Sequence, residues 1–99
     1  MSNSKYELRY TPTFYNDLEE MTVYISERLN NTVAAANLLD AIEKAILDRS
    51  SIAEFFEPYV SKRNRKYPYY RIYVGNYTIF YVVIHEQDKK IMEVRRLLY

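Results

Sequence analysis

The strongest constraint on this chain is its single glycine and what flanks it. Gly75 and Asn76 separate two runs of strand-forming residues, 69–74 and 77–84. Glycine followed by asparagine between such runs signals a β-hairpin, because glycine takes the positive φ of a tight primed turn without a steric penalty. Apart from Thr78, the second run is apolar or aromatic on both faces. That pattern predicts a central strand, covered by helices on one side and on the other by something that need not come from this chain. A third run, 91–98, follows the polar stretch 85–90, so three strands should meander in succession.

The first half reads differently. Lys5 to Tyr10 alternates, with Tyr6, Leu8 and Tyr10 on one side and Lys5, Glu7 and Arg9 on the other, which predicts a half-buried strand. Thr11 and Pro12 then supply an N-cap and a proline at the first helical position. Phe14, Leu18, Met21, Ile25 and Leu29 recur at steps of three and four, and Asn30-Asn31 ends the run. A second helix opens near Asn31-Thr32, with Ala35, Leu38, Leu39, Ile42, Ala45 and Ile46 as its apolar stripe. So short a connection predicts an antiparallel helical hairpin. Ser50-Ser51 breaks the pattern, 52–56 should form a turn with Phe55 and Phe56 tucked under the sheet, and 59–68 reads as a basic, tyrosine-bearing loop. The expected fold is α+β: a small, mostly antiparallel four-stranded sheet with an α-helical hairpin on one face, in the order β-α-α-β-β-β, as a single domain over residues 1–99.

Composition narrows the chemistry. The absence of cysteine rules out disulfides, thiolate metal sites and cysteine nucleophiles, and fits a reducing, cytoplasmic setting. No apolar run approaches the roughly 20 residues needed to span a bilayer, and no secretory leader pattern is present. No phosphate-binding glycine loop, zinc spacing or nucleophile elbow occurs, so neither a metal nor a cofactor is expected. The net charge of +1 conceals a division. Residues 1–58 hold five Lys/Arg against ten Asp/Glu, a balance of −5, whereas 59–99 hold nine against three, a balance of +6. A domain of this kind can present its basic half to an anionic target while acidic helices stay in solvent.

The candidate functional residues lie in that basic half. Lys62, Arg63, Arg65 and Lys66 form a loop cluster able to neutralise phosphates; a solvated loop is the ordinary alternative. Tyr69, Tyr73 and Tyr77 suit either base stacking or a protein interface, and interface is the preferred reading. Arg71, Arg95 and Arg96 fall on strands, which hold side chains more firmly than loops do and favour bidentate contact with phosphate or carboxylate. The plain structural alternative is an ion pair of Arg71 or Arg95 with Glu93. Strict alternation places Arg95 with Glu93 and Tyr99 on one face, and Arg96 with Met92, Val94 and Leu98 on the other. His85, the one histidine, is read as an ordinary solvated turn residue beside Glu86.

Taken together, the leading strand, the helix segment Asp17-Leu18-x-x-Met21-x-x-Tyr24-Ile25, the run Tyr70-Arg71-Ile72-x-Val74-x-Asn76-Tyr77-x-Ile79-x-Tyr81-x-Val83 and the closing Val94-Arg95-Arg96-Leu97-Leu98-Tyr99 resemble the RelE/ParE superfamily of bacterial toxins. The likeness covers nearly the whole chain. It implies the growth-arresting toxin of a type II toxin–antitoxin (plasmid stabilisation) module, held inactive in a hetero-oligomer with a cognate antitoxin. The ParE branch implies inhibition of DNA gyrase with no hydrolytic residues, and the long helical hairpin and the Asn76-Tyr77-x-Ile79-x-Tyr81 run favour it. The RelE branch implies a metal-independent mRNA endoribonuclease acting on the ribosome. By that resemblance Arg71 and Tyr99 would be catalytic, with Lys62, Arg63, Arg65, Lys66, Tyr73, Arg95 and Arg96 gripping target or RNA. Tyr73 and Thr78 stand where that branch carries further cations, and its common closing Arg-Arg extension has no counterpart after Tyr99. A third alternative is an inactive or truncated toxin that only binds antitoxin.

Overall fold

A computed structural model describes residues 6–59 and 66–99. The order of elements is β1 (Glu7–Tyr10), α1 (Pro12–Val23), a π-helical turn (Tyr24–Arg28), α2 (Thr32–Arg49), β2 (Tyr70–Val74), β3 (Tyr77–Glu86) and β4 (Lys89–Leu98). The caps are those the sequence announces: the Thr11 and Asn31 side-chain oxygens accept from the N–H groups of Phe14 and Ala34. Gly75 adopts φ 59°, and the second turn places Gln87 at φ 54°. The run 85–90 is thus mostly strand, with only Gln87 and Asp88 left in the turn.

The four strands run in the order β1-β4-β3-β2. The β2–β3 and β3–β4 pairings are antiparallel, while β1 lies parallel to β4, so the sheet is mixed. With two helices between β1 and the hairpins, β1 is free of any turn that would force it antiparallel, and it closes the outer edge of β4.

Ile79, Tyr81 and Val83 of β3 join Met92, Val94 and Leu97 of β4 under the helices, against Phe14, Met21, Ile42 and Ile46. Full burial of side chains such as Ile79, Met92 and Val94 stabilises the fold by about 1.5–3 kcal/mol each. The second cover of β3 does come from this chain: Tyr67 and Tyr69 pack over Val82, Ile84 and Ile91. Two expectations about apolar residues fail. Phe55 is 79% exposed and Phe56 42%, and the buried apolar residue of this turn is Ala53 instead. Leu29 is 56% exposed, since the π-helical turn, closed by the Leu29 N–H to the Tyr24 carbonyl, adds a residue to the turn and shifts the helical stripe. No described helix is long and apolar enough to cross a membrane.

Candidate functional site: the open face of the sheet

Alternation along β2 sends Tyr70 and Ile72 into the core and leaves Arg71 and Tyr73 exposed on the face away from the helices. Register then aligns Arg71 with Phe80 of β3, and Phe80 with Arg96 of β4. The three form one row across the sheet.

The row depends on a β-bulge. Phe80 pairs with Arg96 but Tyr81 pairs with Val94, so Arg95 is the extra residue on β4. A bulge reverses side-chain parity beyond it. Leu97 therefore enters the core and Arg96 does not share the face of Met92 and Val94, contrary to strict alternation. Arg96 and Leu98 instead line a depression of about 200 Å³ with Tyr59, Tyr69 and Phe80. Tyr59 reaches this face because its N–H bonds to the carbonyl of Tyr69, bridging the two residues at the edge of β2.

The three arginines differ in how far they are neutralised. Arg95 donates from Nε to Glu93 at 2.8 Å; burial works against its charge, but hydrogen bonds to Glu93 and Tyr69 hold its pKa above the usual arginine value. Arg96 grips Asp17 of α1 through Nε at 2.8 Å and Nη2 at 3.2 Å. The same carboxylate accepts from the Leu97 N–H at 2.9 Å, beyond the point where β1 stops covering the β4 edge. Burial pushes the Asp17 pKa up, yet the Arg96 and Leu97 hydrogen bonds outweigh it and bring the value below the ordinary one. Arg71, by contrast, has no carboxylate partner among the described residues. Its guanidinium lies 4.6 Å from the centre of the Tyr59 ring and 5.8 Å from that of Tyr73.

Arg49, at the end of α2, is a residue that sequence reading passed over. It donates to the Arg71 carbonyl at 3.2 Å and to the Tyr81 hydroxyl at 3.0 Å, and its guanidinium stacks 3.5 Å over Phe56. Tyr81 in turn donates to the Ala53 carbonyl at 2.6 Å. Arg49 thus ties the edge strand bearing Arg71 to the helical layer. A lone arginine closing an apolar stripe carries no sequence signal of that role.

His85 also departs from expectation, for its Nε2 lies 2.8 Å from Glu54, which accepts from the Tyr6 hydroxyl at 3.0 Å. Burial raises the Glu54 pKa, but the bonds to His85 and Tyr6 and the nearby charges of His85 and Lys90 lower it overall. This cluster stands five residues along β3 from Phe80, roughly 17 Å at strand rise. Tyr99 is also apart from the row. It is 87% exposed, meets Tyr77 edge-on at 5.2 Å, and helps line an apolar groove of about 580 Å³. Tyr24, Ile25, Leu29, Leu38 and Val74 form most of the rest of that groove. Lys66 is exposed beside the Tyr67 ring, whereas Lys62, Arg63 and Arg65 lie outside the described residues. Among the described residues, no group of three His, Asp or Glu converges as a metal site would require.

Comparison with known proteins agrees with this architecture. A chain described as "Chromosomal ParDE TA system from P. aeruginosa" superposes with a TM-score of 0.70, covering 97% of each chain at 11% identity, a likeness of fold. No curated protein matches. The family described as "ParE toxin of type II toxin-antitoxin system, parDE" matches residues 8–99. With a match over nearly its whole length, the chain belongs to the ParE toxin family of type II toxin–antitoxin systems, within the RelE/ParE superfamily.

Proposed function

We propose that this toxin arrests growth by binding and inhibiting DNA gyrase, and that a cognate antitoxin holds it inactive by covering the apolar groove beside Tyr24 and Leu29. The observation that carries the reading is the state of the cations around Arg71. RNA cleavage by attack of a 2′-hydroxyl needs several free cations at one phosphate and groups that move protons beside them. Among the described residues, Arg95 and Arg96 are engaged by Glu93 and Asp17, and the His85–Glu54 pair stands at the other end of the sheet. A guanidinium with no carboxylate partner among the described residues, framed by the exposed Tyr59 and Tyr73, suits recognition of a partner surface, where Tyr and Arg are enriched. The groove supports an antitoxin partner in the same way: Tyr24, 50% exposed, and Leu29, 56% exposed, line it together with Ile25, Leu38 and Val74, an apolar concavity that a partner segment can fill.

The test is a supercoiling reaction with purified gyrase and relaxed plasmid. The toxin should abolish negative supercoiling, and Arg71→Ala should restore it while leaving the urea unfolding midpoint unchanged. Full supercoiling in a molar excess of folded toxin refutes the proposal. A parallel translation extract with mapped mRNA ends separates the alternatives, since new cleavage within codons would identify a ribosome-dependent nuclease.

A further inference from the structure

We propose that an acid-rimmed aromatic cup beside α2 receives a cationic side chain of the antitoxin, its stem against the apolar wall and its charge on Asp40 and Glu43. The inference rests on the reading of the apolar groove as the antitoxin's seat, because the two concavities share a helix. Leu38 lines the groove and Leu39 lines the cup. Consecutive helical residues point about 100° apart, so a chain that leaves the groove across α2 meets the cup next. The cup measures about 300 Å³ and lies between α1, α2 and the end of β1. Phe14, Ile42 and Ile46 are its buried part, and the rings of Tyr10, Phe14 and Tyr15 stand 5.5 to 6.0 Å from one another along one wall. That volume is at the lower end for ligand pockets and of a size for a side chain.

Two carboxylates select the charge of the occupant. Asp40 and Glu43 are three positions apart, so they are neighbours on one face of α2. Both are exposed, and neither has an ion-pair or hydrogen-bond partner among the described residues. Lys44 stands four positions after Asp40, yet its Nζ is held by Asp48 on its other side, at 2.9 Å. Tyr10 records the same field: burial first, and then Tyr15 and Glu43, raise its pKa above the usual phenol value. Like charges at this spacing repel, and a cation from outside relieves them. Residues 1–58 reinforce the preference with their balance of −5. The apolar wall narrows the choice further. A hydrated metal ion makes no use of rings and aliphatic groups, whereas lysine and arginine lay their stems on such surface and keep the charge at the rim. The arginine fork is the better match to a pair of carboxylates. A partner that grips Arg71 meets the face of the sheet away from the helices, which leaves the antitoxin as the occupant.

The test measures binding of the full toxin chain to its purified cognate antitoxin by biolayer interferometry at several salt concentrations. Asp40→Asn combined with Glu43→Gln should weaken binding by about tenfold or more and flatten its salt dependence. Glu86→Gln combined with Asp88→Asn removes the same charge from the exposed end of the β3–β4 hairpin, and should change affinity by less than about twofold. Unchanged urea midpoints will establish that both double variants are folded. Within the antitoxin, alanine at one arginine or lysine should cost as much as the cup variant, and the two changes together should cost no more than either alone. The proposal is overturned if the cup variant binds antitoxin normally, if the hairpin control weakens binding equally, or if every basic residue of the antitoxin gives additive losses. Weaker gyrase inhibition by the cup variant with normal antitoxin binding gives the cup to gyrase and overturns it as well. Leu29→Glu separates the two readings of α2. Weak binding by this variant beside normal binding by the cup variant removes the present inference and leaves the groove standing, whereas the reverse result keeps the cup and removes the groove.

Discussion

Asp17 is the residue whose loss should report most directly on how the arginine row is held. Its carboxylate is one-tenth exposed and accepts from the Arg96 guanidinium and from the Leu97 N–H. A hydrogen bond to a charged group contributes about 1.5–3 kcal/mol. The Arg96 side chain is 43% exposed, so its part of the pair is screened and adds no more than about 1 kcal/mol. Asp17→Ala should therefore cost about 2–3 kcal/mol, which for a chain of this length lowers Tm by roughly 10–20 °C. Asp17→Asn keeps an acceptor for the Leu97 N–H and should cost about 1 kcal/mol. Urea unfolding followed by circular dichroism measures both, with m unchanged if only the native state is affected. The pH dependence follows from the lowered pKa of Asp17. A carboxyl with a folded pKa below its unfolded value of about 3.9 stabilises fully above that value and loses the contribution as pH falls through the folded pKa. The gap between wild type and Asp17→Asn should be constant from about pH 5 to 8 and close below about pH 4. A cost under about 0.5 kcal/mol for Asp17→Ala, or a gap that persists in acid, would refute the role assigned to this carboxylate.

Other substitutions probe the frame. Tyr81→Phe removes the hydroxyl that links Arg49 to the Ala53 carbonyl in a fully buried position, and should cost about 1–3 kcal/mol in the same urea assay. Gly75→Ala meets nothing within 4 Å, so its effect should be the left-handed backbone penalty alone, about 1 kcal/mol, and Gly75→Asn should cost less. Burial first, and then the Glu54 carboxylate, push the Tyr6 phenol up to about 12. Its folded pKa exceeds the unfolded value near 10, so this contribution to stability is complete below about pH 10 and is lost as pH rises toward 12. An ultraviolet titration should show a tyrosine that ionises late, and Glu54→Gln should bring it earlier.

Local chemistry in the sequence was enough to specify the pieces. Thr11-Pro12 and Asn31 start the helices, Gly75 turns the hairpin, and the apolar runs of β3 and β4 mark the centre of the sheet, because caps, turns and periodicity act over a few residues. The α+β class, the helical hairpin and the superfamily likeness follow from those pieces in order. What tertiary structure decided lies between distant residues. Asp17 meets Arg96 across 79 positions, Tyr6 meets Glu54 across 48, and β1 joins β4 in parallel. The bulge at Arg95 reverses the parity of every side chain after it, which a strict alternation of faces along the strand does not anticipate. For that reason Arg71 was legible as an exposed strand cation, while its alignment with Phe80 and Arg96, and its freedom from any described carboxylate, emerged only when packing brought three strands into register.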